Sequence, residues 1–258
     1  MGTVYITGGA TGIGAAAVRK FAVNGNDVAV FDINEEAVNQ LAFQIAETAD
    51  SGTVSFFQTD VSDRSAVRSS IAAAAERIGS PTALFVNAGI QKLAGIFEME
   101  DDDIDRIIDV NLKGALYVVA EVAALMRDAG DGGTIVLMGS DQALVGKEGS
   151  IVYGATKGAV AQMAKSVAMA LSPYQIRVNA VCPATVKTPM TEKVFQWLAD
   201  KHFDGDANAA WEAEAKLLPI GRVAEPEEIA EVVYFLSQPA SSFMTGALVP
   251  VDGGLTAQ

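Results

Sequence analysis

The sequence predicts a single-domain α/β protein, in which one doubly wound parallel sheet of about seven strands carries helices on both faces. Three observations support this prediction. Short apolar runs rich in β-branched residues alternate with longer stretches of helical pattern. A glycine-rich segment directly follows the first apolar run. The chain has 258 residues, of which 50% are hydrophobic, so it can bury one large sheet.

Seven apolar runs are the predicted strands, because each is short and nearly continuous, as expected for strands covered on both faces. They lie at 4–7, 28–31, 54–58, 84–87, 134–138, 177–181 and 248–251. The predicted helices lie between them at 12–24, 34–48, 63–78, 103–129, 151–172 and 226–237. Asn34, Ser62 and Glu225-Pro226 are the expected helix starts, by capping or by proline in the first turn. No repeat or linker divides residues 1–258.

A segment of about thirty residues, 189–219, interrupts this alternation, because it contains several aromatic residues and no strand pattern. It follows the strand at 177–181, so it would lie over the carboxyl ends of the strands, where open sheets bind ligands. We therefore expect a substrate lid at about 189–219. A pair of helices packed for oligomer contact is the alternative.

The glycine-rich segment 7–14, Thr-Gly-Gly-Ala-Thr-Gly-Ile-Gly, joins the first strand to a helix. Glycines let the backbone bend sharply and approach a pyrophosphate, and the helix N-terminus presents N–H groups and a positive dipole to it. The segment predicts a dinucleotide site, although such a turn can also serve only as a connection. Ala15 stands where a P-loop requires Lys. The predicted cofactor contacts are Gly8, Thr11, Gly12, Ile13 and Gly14.

Asp32 closes the second strand and predicts the type of cofactor. A carboxylate there can accept both hydroxyls of an adenosine ribose and would repel a 2′-phosphate. No Arg or Lys lies in the glycine loop or immediately after Asp32, so NAD rather than NADP is expected. A capping or solvated loop role for Asp32 is the alternative. Asp60 and Val61 follow the third strand and are expected near the adenine, although Asp60 could equally cap a helix.

Tyr153 and Lys157 are the predicted catalytic pair. Their spacing places both side chains on one face of a helix. A free tyrosine has a pKa of about 10, and a nearby ammonium together with a positive nicotinamide ring is expected to lower it. Tyr153 could then act as general base or acid, with Ser140 hydrogen-bonded to the substrate oxygen. A lone Tyr/Lys pair at this spacing is usually a surface coincidence, so the prediction depends on the accompanying motifs.

Taken together, these motifs resemble those of the short-chain dehydrogenase/reductase family, a Rossmann-fold family, in its single-domain form and along the whole chain. The glycine loop matches the family's Thr-Gly-x-x-x-Gly-x-Gly. Asn87-Ala88-Gly89 matches the last three positions of its Asn-Asn-Ala-Gly motif, with Val86 in place of the first Asn. Further matches are Asn111 within 110–113, Ser140, Tyr153, Lys157, the segment 183–188 and the segment 251–254.

The resemblance implies roles for several of these residues. Lys157 is expected to bind the nicotinamide ribose, and Asn111 is expected to kink its helix and hold a water at the end of a proton relay from Tyr153. Segment 183–188 is expected to grip the nicotinamide carboxamide through Val186 and Thr188, beside Pro183. The family's Pro-Gly is Pro-Ala here, so Ala184 should have a negative φ or be mildly strained. Asn87, Ala88, Gly89 and Tyr153 complete the predicted cofactor site.

The predicted substrate contacts are mostly polar, which favours a small polar alcohol such as a sugar, polyol or hydroxy acid. They are Gln91, Lys92, Ser140, Gln142 and Tyr153, with Asp141 and Lys147-Glu148 nearby. Lys92, Lys147 or Lys187 could pair with an anionic group on the substrate, or each could simply be solvated. His202 could touch the substrate, although a surface role is the simpler interpretation. With one His and one Cys, Cys182, no metal site is expected.

Composition restricts the partners and the location. The net charge of −14 repels nucleic acid and anionic membranes, so neither is an expected partner. No apolar stretch is long enough to span a bilayer, and a single cysteine fits the cytoplasm. By resemblance, we expect a homotetramer or homodimer joined by the helices at 103–129 and 151–172.

The predicted function is NAD-dependent oxidation of a secondary alcohol to a carbonyl compound. Within the family, a 3-oxoacyl-carrier-protein reductase or a hydroxysteroid dehydrogenase is the alternative. The first usually favours NADP and a basic patch, and the second an apolar wall. A regulator that senses NAD without turnover is the alternative from another class. It would usually lack part of the tetrad, which is complete here at Asn111, Ser140, Tyr153 and Lys157.

Overall fold

Seven parallel strands form one sheet in the order β3-β2-β1-β4-β5-β6-β7. A computed structural model describes residues 2–48 and 51–257, so the two ends of the predicted domain, residues 1 and 258, lie outside the described residues. The strands are β1 Thr3–Thr7, β2 Asp27–Asp32, β3 Val54–Gln58, β4 Ala83–Val86, β5 Gly133–Met138, β6 Ile176–Pro183 and β7 Leu248–Val251.

Helices follow the strands in the predicted alternation, and the doubly wound α/β class is confirmed. They are α1 Gly12–Val23, α2 Glu35–Ala46, α3 Arg64–Ile78, α4 Asp101–Ile108, α5 Ala115–Ala129, α6 Ile151–Leu171, α7 Pro189–His202, α8 Ala207–Leu217 and α9 Pro226–Leu236. The helix predicted at 103–129 is two helices joined by a π-helical turn, Asp109–Gly114. Within the described residues, no helix combines the length and apolar character needed to cross a bilayer.

Two of the three predicted helix starts are confirmed. The Asn34 side chain accepts from the N–H of Ala37 at 3.1 Å and caps α2, and α9 begins at Pro226. The prediction at Ser62 is wrong, because Asp63 caps α3. The Asp63 carboxylate accepts two N–H groups of the first turn, at 2.8 and 3.2 Å. The Ser62 hydroxyl instead donates to Asp60 at 2.6 Å.

The sheet separates two apolar clusters, one on each face. Adjacent strand residues contribute to opposite clusters: Leu84 packs with helices α3, α5 and α6, whereas Phe85 packs with α1, α2 and α9. Both side chains are buried, as are their counterparts Ile135 and Val136 on β5. The nearly continuous apolar runs in the sequence therefore reflect burial on both faces.

The switch in strand order between β1 and β4 forms a crevice at the carboxyl edge of the sheet, where ligands bind in this architecture. Side-chain hydrogen bonds lock the two strand ends together. The Thr7 hydroxyl accepts from the N–H groups of Asn87 and Ala88 at 3.0 and 3.1 Å. The Asn87 amide donates to the carbonyl of Gly8 at 2.8 Å. The glycine loop is thus held against the turn after β4.

Phe85→Ala tests this description of the core. Because the Phe85 ring is 1% exposed, we expect a loss of roughly 3–5 kcal/mol in the free energy of unfolding from lost burial and cavity formation. Urea titration followed by circular dichroism measures it. The matched control is Phe43→Ala, since Phe43 is 70% exposed on α2, and it should change stability by less than about 0.5 kcal/mol. Similar losses in the two variants would contradict the assigned core.

Candidate active site

A cleft of about 750 Å³ lies over the carboxyl edge of the sheet. It is lined by the glycine loop, by the segments that follow β2 to β6, and by α6, α7 and α8. The structure brings together nearly all of the predicted site residues there. The predicted residues that line it are Gly8, Thr11, Gly12, Ile13, Asp32, Asp60, Val61, Asn87, Ala88, Gly89, Gln91, Ser140, Gln142, Tyr153, Lys157, Pro183, Val186 and Thr188. Gly14, Lys92 and Asn111 do not line it.

The glycine loop needs its glycines for two reasons. Gly8 and Gly12 have φ values of +65° and +53°, a region that other residues rarely adopt. Gly14 lies two residues after Gly12 in α1, where a Cβ atom would stand 1.9 Å from the carbonyl oxygen of Gly8. Gly14 therefore allows α1 to pack against the loop, and its contribution to the cleft is indirect.

The carboxylate of Asp32 supports the glycine loop from the end of β2. It accepts from the N–H of Ala10 at 2.9 Å and from the N–H of Asn34 at 3.0 Å. Asp32 is partly exposed and lines the cleft. Since each carboxylate oxygen has two lone pairs, the group retains acceptor capacity for ribose hydroxyls while holding the loop.

Asp60 and Val61 close the cleft after β3. The Asp60 carboxylate accepts from both the N–H and the hydroxyl of Ser62, at 2.9 and 2.6 Å, and so stabilises the turn that precedes α3. The Val61 side chain is buried. The alternative role for Asp60 as a helix cap is not what the structure has, because Asp63 takes that position.

Tyr153 and Lys157 lie on one face of α6, as the spacing predicts. The Lys157 ammonium is 5.3 Å from the centre of the Tyr153 ring. It also donates to the carbonyl of Met138, at the end of β5, at 2.7 Å. Lys157 is buried, although its side chain reaches the cleft. The pair is therefore fixed between α6 and the sheet edge.

Burial controls the protonation of both groups. Burial of the hydroxyl raises the pKa of Tyr153 to about 12, and the carboxylate of Asp141 adds to the rise, while a hydrogen bond to Ser140 opposes it. Burial lowers the pKa of Lys157 to about 8. The predicted lowering of the Tyr153 pKa depends on Lys157 together with the positive nicotinamide ring, and it stays a prediction. Among the protein's own groups, desolvation of the phenolate is the largest effect on Tyr153.

Ser140 connects Tyr153 with a second carboxylate. Its hydroxyl donates to Asp141 at 2.8 Å, since an ionised carboxylate can only accept. The same oxygen accepts from the N–H of Gln142 at 3.2 Å. Ser140 and Asp141 are both buried beside the cleft. Asp141 therefore fixes the side chain of Ser140, the residue predicted to hydrogen-bond to the reacting oxygen of the substrate.

Asn111 acts at a distance from the cleft surface. It lies in the π-helical turn between α4 and α5, which interrupts the long helix as the family resemblance implied. Its amide exchanges two hydrogen bonds with the backbone of Ile90, at 2.8 and 2.9 Å, and donates to the Thr156 hydroxyl at 3.3 Å. The residue thus ties the turn after β4 to α6, next to Lys157.

The three lysines that were predicted as possible substrate contacts lie in different environments in the structure. Lys92 pairs with Asp103 and, at 3.5 Å, with Glu100 on the protein surface, so its predicted substrate role has no support in this geometry. Lys147 lines the cleft, but Lys187 and His202 do not. Gln91 lines it while its amide donates to the Ser150 hydroxyl at 3.0 Å.

The segment 189–219 contributes α7 and α8 to one side of the cleft. Phe195 and Trp211 stack with ring centres 3.9 Å apart and join the two helices. The apolar cleft residues from α7 were not predicted as site residues, and they are Met190, Val194, Phe195 and Leu198. Glu214 on α8 and Thr185 after β6 were also missed. The position of Glu214 within the predicted lid segment 189–219 is the signal that could have placed it near the site.

The segment after β6 adopts the expected backbone. Among the described non-glycine residues, positive φ occurs only at Gln175 and Asp204, so Ala184 replaces glycine without entering the left-handed region. Val186 is buried, and Thr188 caps α7 by accepting from the N–H of Thr191 at 3.3 Å. Within residues 2–48 and 51–257, no group of three or more His, Cys, Asp or Glu side chains is arranged to hold a metal ion.

Comparisons with known proteins cover almost the entire chain. The family described as "Enoyl-(Acyl carrier protein) reductase" matches residues 8–256. A 3-oxoacyl-[acyl-carrier-protein] reductase of Thermotoga maritima is 36% identical over 250 residues, which are 97% of this chain and 96% of that protein. Meso-2,3-butanediol dehydrogenase of Serratia marcescens is 35% identical over 254 residues, 98% of this chain and 94% of that one. The crystal structure of levodione reductase superposes with a TM-score of 0.94 at 30% identity, over 99% and 97% of the two chains.

Lys157→Met tests the burial of the ammonium. Because burial lowers the pKa of Lys157 from 10.5 to about 8, the unfolded chain binds a proton between these values that the folded protein does not. Stability of the wild type relative to the variant should therefore rise as the pH increases from about 8 towards 10, by roughly 1–3 kcal/mol. Urea unfolding at pH 7, 8.5 and 9.5 measures this change. Lys165→Met, an exposed position on α6, is the control. A stability difference independent of pH would refute the assigned burial.

Proposed function

The chain belongs to the short-chain dehydrogenase/reductase family of oxidoreductases, and on that basis we propose that it is an NAD-dependent enzyme that interconverts a secondary alcohol and a carbonyl compound by hydride transfer. One observation supports the proposal most strongly. Tyr153, Lys157 and Ser140 meet in the same cleft as the glycine loop, so a proton-transfer group lies beside a predicted dinucleotide site.

The residues of the cleft fit a nicotinamide dinucleotide. Gly8 and Gly12 hold the loop in left-handed conformations, and no side chain caps α1 at Thr11 in the described structure, so the first N–H groups of α1 can face a pyrophosphate. The ribose and nicotinamide would be held by Asp32, Asn87, Ala88, Gly89, Lys157, Pro183, Val186 and Thr188. When bound, the cofactor supplies the hydride acceptor and, in its oxidised form, a positive ring charge.

Tyr153 is the residue that exchanges a proton with the substrate oxygen, through its own hydroxyl oxygen. In reduction, its phenol donates to the carbonyl oxygen, which suits a group whose pKa burial raises to about 12. In oxidation, Tyr153 accepts the alcohol proton, and positive charge from Lys157 and the oxidised ring must then offset the cost of a buried phenolate. Ser140 holds the substrate oxygen next to Tyr153 when its hydroxyl proton, which bonds Asp141 in this structure, turns to that oxygen. The proton relay from Tyr153 through Lys157 to water at Asn111, which the family resemblance implies, is part of this proposal.

The substrate is proposed to be a small polar alcohol, such as a sugar, polyol or hydroxy acid, oxidised in the forward direction. Gln91, Ser140 and Gln142 form a polar wall, and the relative from Serratia marcescens is named for a diol. α7 and α8 are proposed to act as the lid, since both line the cleft. The cytoplasm and a homotetramer or homodimer complete the proposal, with exposed Leu116, Ile151 and Met169 on α5 and α6 suited to subunit contact.

A 3-oxoacyl-carrier-protein reductase is the second candidate, because the Thermotoga maritima relative carries that name. α7 adds apolar residues to the cleft that were not predicted as site residues. These residues make the cleft more suitable for an acyl chain or a steroid than the polar residues predicted from the sequence. However, the net charge of −14 opposes docking of an acidic carrier protein. The NAD-sensing regulator is less well supported, because the complete tetrad is consistent with turnover.

Tyr153→Phe separates binding from chemistry. Removing the hydroxyl should lower kcat by about 10²–10⁴-fold, since general acid–base catalysis contributes on that order, while NAD affinity changes by less than about twofold. Reduced nicotinamide absorbance and fluorescence titration measure the two quantities. The control is Tyr174→Phe, because Tyr174 is exposed in the turn after α6 and does not line the cleft. It should leave both quantities unchanged. Turnover retained in Tyr153→Phe would reject the assigned base.

Asp32→Asn tests the choice of cofactor. The amide preserves an oxygen acceptor for the N–H of Ala10 or Asn34 but removes the charge that repels a 2′-phosphate. We expect the kcat/KM ratio of NADP to NAD to rise about tenfold, as one nearby charge is removed. Asp128→Asn, on the exposed end of α5, should leave the ratio unchanged. A wild type that prefers NADP would contradict the proposal directly.

A further inference from the structure

Lys147 is held between two carboxylates at the substrate end of the cleft. Its ammonium lies 2.9 Å from Asp141 as an ion pair, without the alignment of a hydrogen bond, and 3.6 Å from Glu214. The Asp141 side chain is 3% exposed and that of Glu214 is 16% exposed. The Lys147 side chain is 32% exposed, so these are partly buried ion pairs, which are screened less than fully exposed surface pairs. We refer to Asp141, Lys147 and Glu214 as the acidic clamp.

The acidic clamp joins parts of the chain that are distant in sequence. Asp141 follows Ser140 at the end of β5 and accepts the Ser140 hydroxyl at 2.8 Å. Lys147 lies in the loop before α6, and Glu214 comes from α8 in the segment 189–219. Thr185, after β6, donates its hydroxyl to Glu214. The clamp therefore connects the α8 side of the cleft to the residue that is proposed to hold the reacting oxygen.

Lys147 already pairs with two carboxylates of the protein, so its positive charge is compensated before an anionic substrate could bind to it. Among the described residues, the cations that line the cleft are Lys147, Lys157 and Arg106. Lys157 donates to the carbonyl of Met138 and adjoins Tyr153. Arg106 shares α4 with acidic residues that also line the cleft, Asp102 and Asp105, and Asp109 follows directly. Lys147 itself is shared by two carboxylates, and Glu148 adds further negative charge to the lining.

Resting on the proposed function, we propose that the acidic clamp makes the enzyme select uncharged hydroxylated or cationic secondary alcohols and reject carboxylates, with Glu214 as the residue that determines this specificity. Both contacts of Glu214 in the described structure are made by Oε1. Its Oε2 can accept a hydrogen bond from a substrate hydroxyl or ammonium, whereas a carboxylate placed there would meet like charge. This specificity replaces the interpretation of Lys147 as a receptor for an anionic group. It also narrows the proposed substrates to sugars, polyols and amino alcohols, because a hydroxy acid is a carboxylate at neutral pH.

Two series of alcohols that differ in charge but little in shape test the proposal. One is butane-1,3-diol, 4-aminobutan-2-ol and 3-hydroxybutyrate, and the other is glucose, glucosamine and glucuronate. With NAD present, the wild type should oxidise the neutral and cationic members of at least one series with a kcat/KM about tenfold or more above that of the carboxylate. A carboxylate oxidised as well as its neutral counterpart would overturn the specificity while leaving the proposed function intact.

Glu214→Gln keeps the size and the Oε1 acceptor but removes the charge. It should reduce discrimination against the carboxylate about tenfold, mainly through a lower KM for that substrate, and leave NAD affinity unchanged. The matched control is Glu212→Gln, an exposed position on the same helix, which should retain the wild-type discrimination. Equal losses for all members of a series would show that Glu214 is only structural. If no alcohol were oxidised although NAD bound, the proposed function would fail, and this specificity with it.

Discussion

The adjacency of β1 and β4 is the constraint on which the site depends. Because the chain leaves β1 for one side of the sheet and β4 lies on the other, a crevice opens where the two strands end. The Thr7 hydroxyl and the Asn87 amide lock the glycine loop to the turn after β4 across this crevice. β5 and β6, continuing from β4, then deliver Ser140 and the segment after Pro183 to the same edge.

Burial and charge act in opposite directions on the central pair. The enclosure that fixes Tyr153 and Lys157 raises the pKa of the phenol to about 12 and lowers that of the ammonium to about 8. At neutral pH the protein's own groups keep the phenol protonated, while the ammonium, whose pKa of about 8 still lies above 7, stays largely charged. A phenolate therefore requires additional positive charge, and the proposed oxidised nicotinamide is the group that would supply it. In this account, proton transfer is coupled to the state of the cofactor.

The sequence predicted the sheet and the cofactor side of the cleft well, because both depend on local patterns. Buried parallel strands appear as continuous apolar runs, and the glycine loop depends on backbone freedom at Gly8 and Gly12. The resemblance implied a kink at Asn111, but the helical pattern of 103–129 did not indicate the π-helical turn, in which Asn111 is hydrogen-bonded to Ile90, 21 residues away in the sequence. The wall formed by α7 and α8 was not resolved into residues, because the packing of Phe195 on Trp211 sets which side chains face the cleft.

Charge pairing was the least predictable property. Lys92 and Lys147 are equivalent in the sequence as candidate anion receptors, but Lys92 pairs with acidic residues on the surface, whereas Lys147 is enclosed by Asp141 and Glu214. Glu214 is 67 residues away from Lys147 along the chain. No local spacing rule connects them, because tertiary contacts bring α8 to the cleft: its packing on α7 and the contacts of Glu214 with Thr185 and Lys147.

The most direct test is to measure the pKa of Tyr153 by NMR titration of protein that carries ¹³Cζ-labelled tyrosine. The Tyr153→Phe variant assigns the resonance. In the protein alone, Tyr153 is expected to stay protonated to a higher pH than exposed tyrosines, and added NAD is expected to move its titration to lower pH. An ordinary pKa of about 10 that NAD does not change would contradict this expectation.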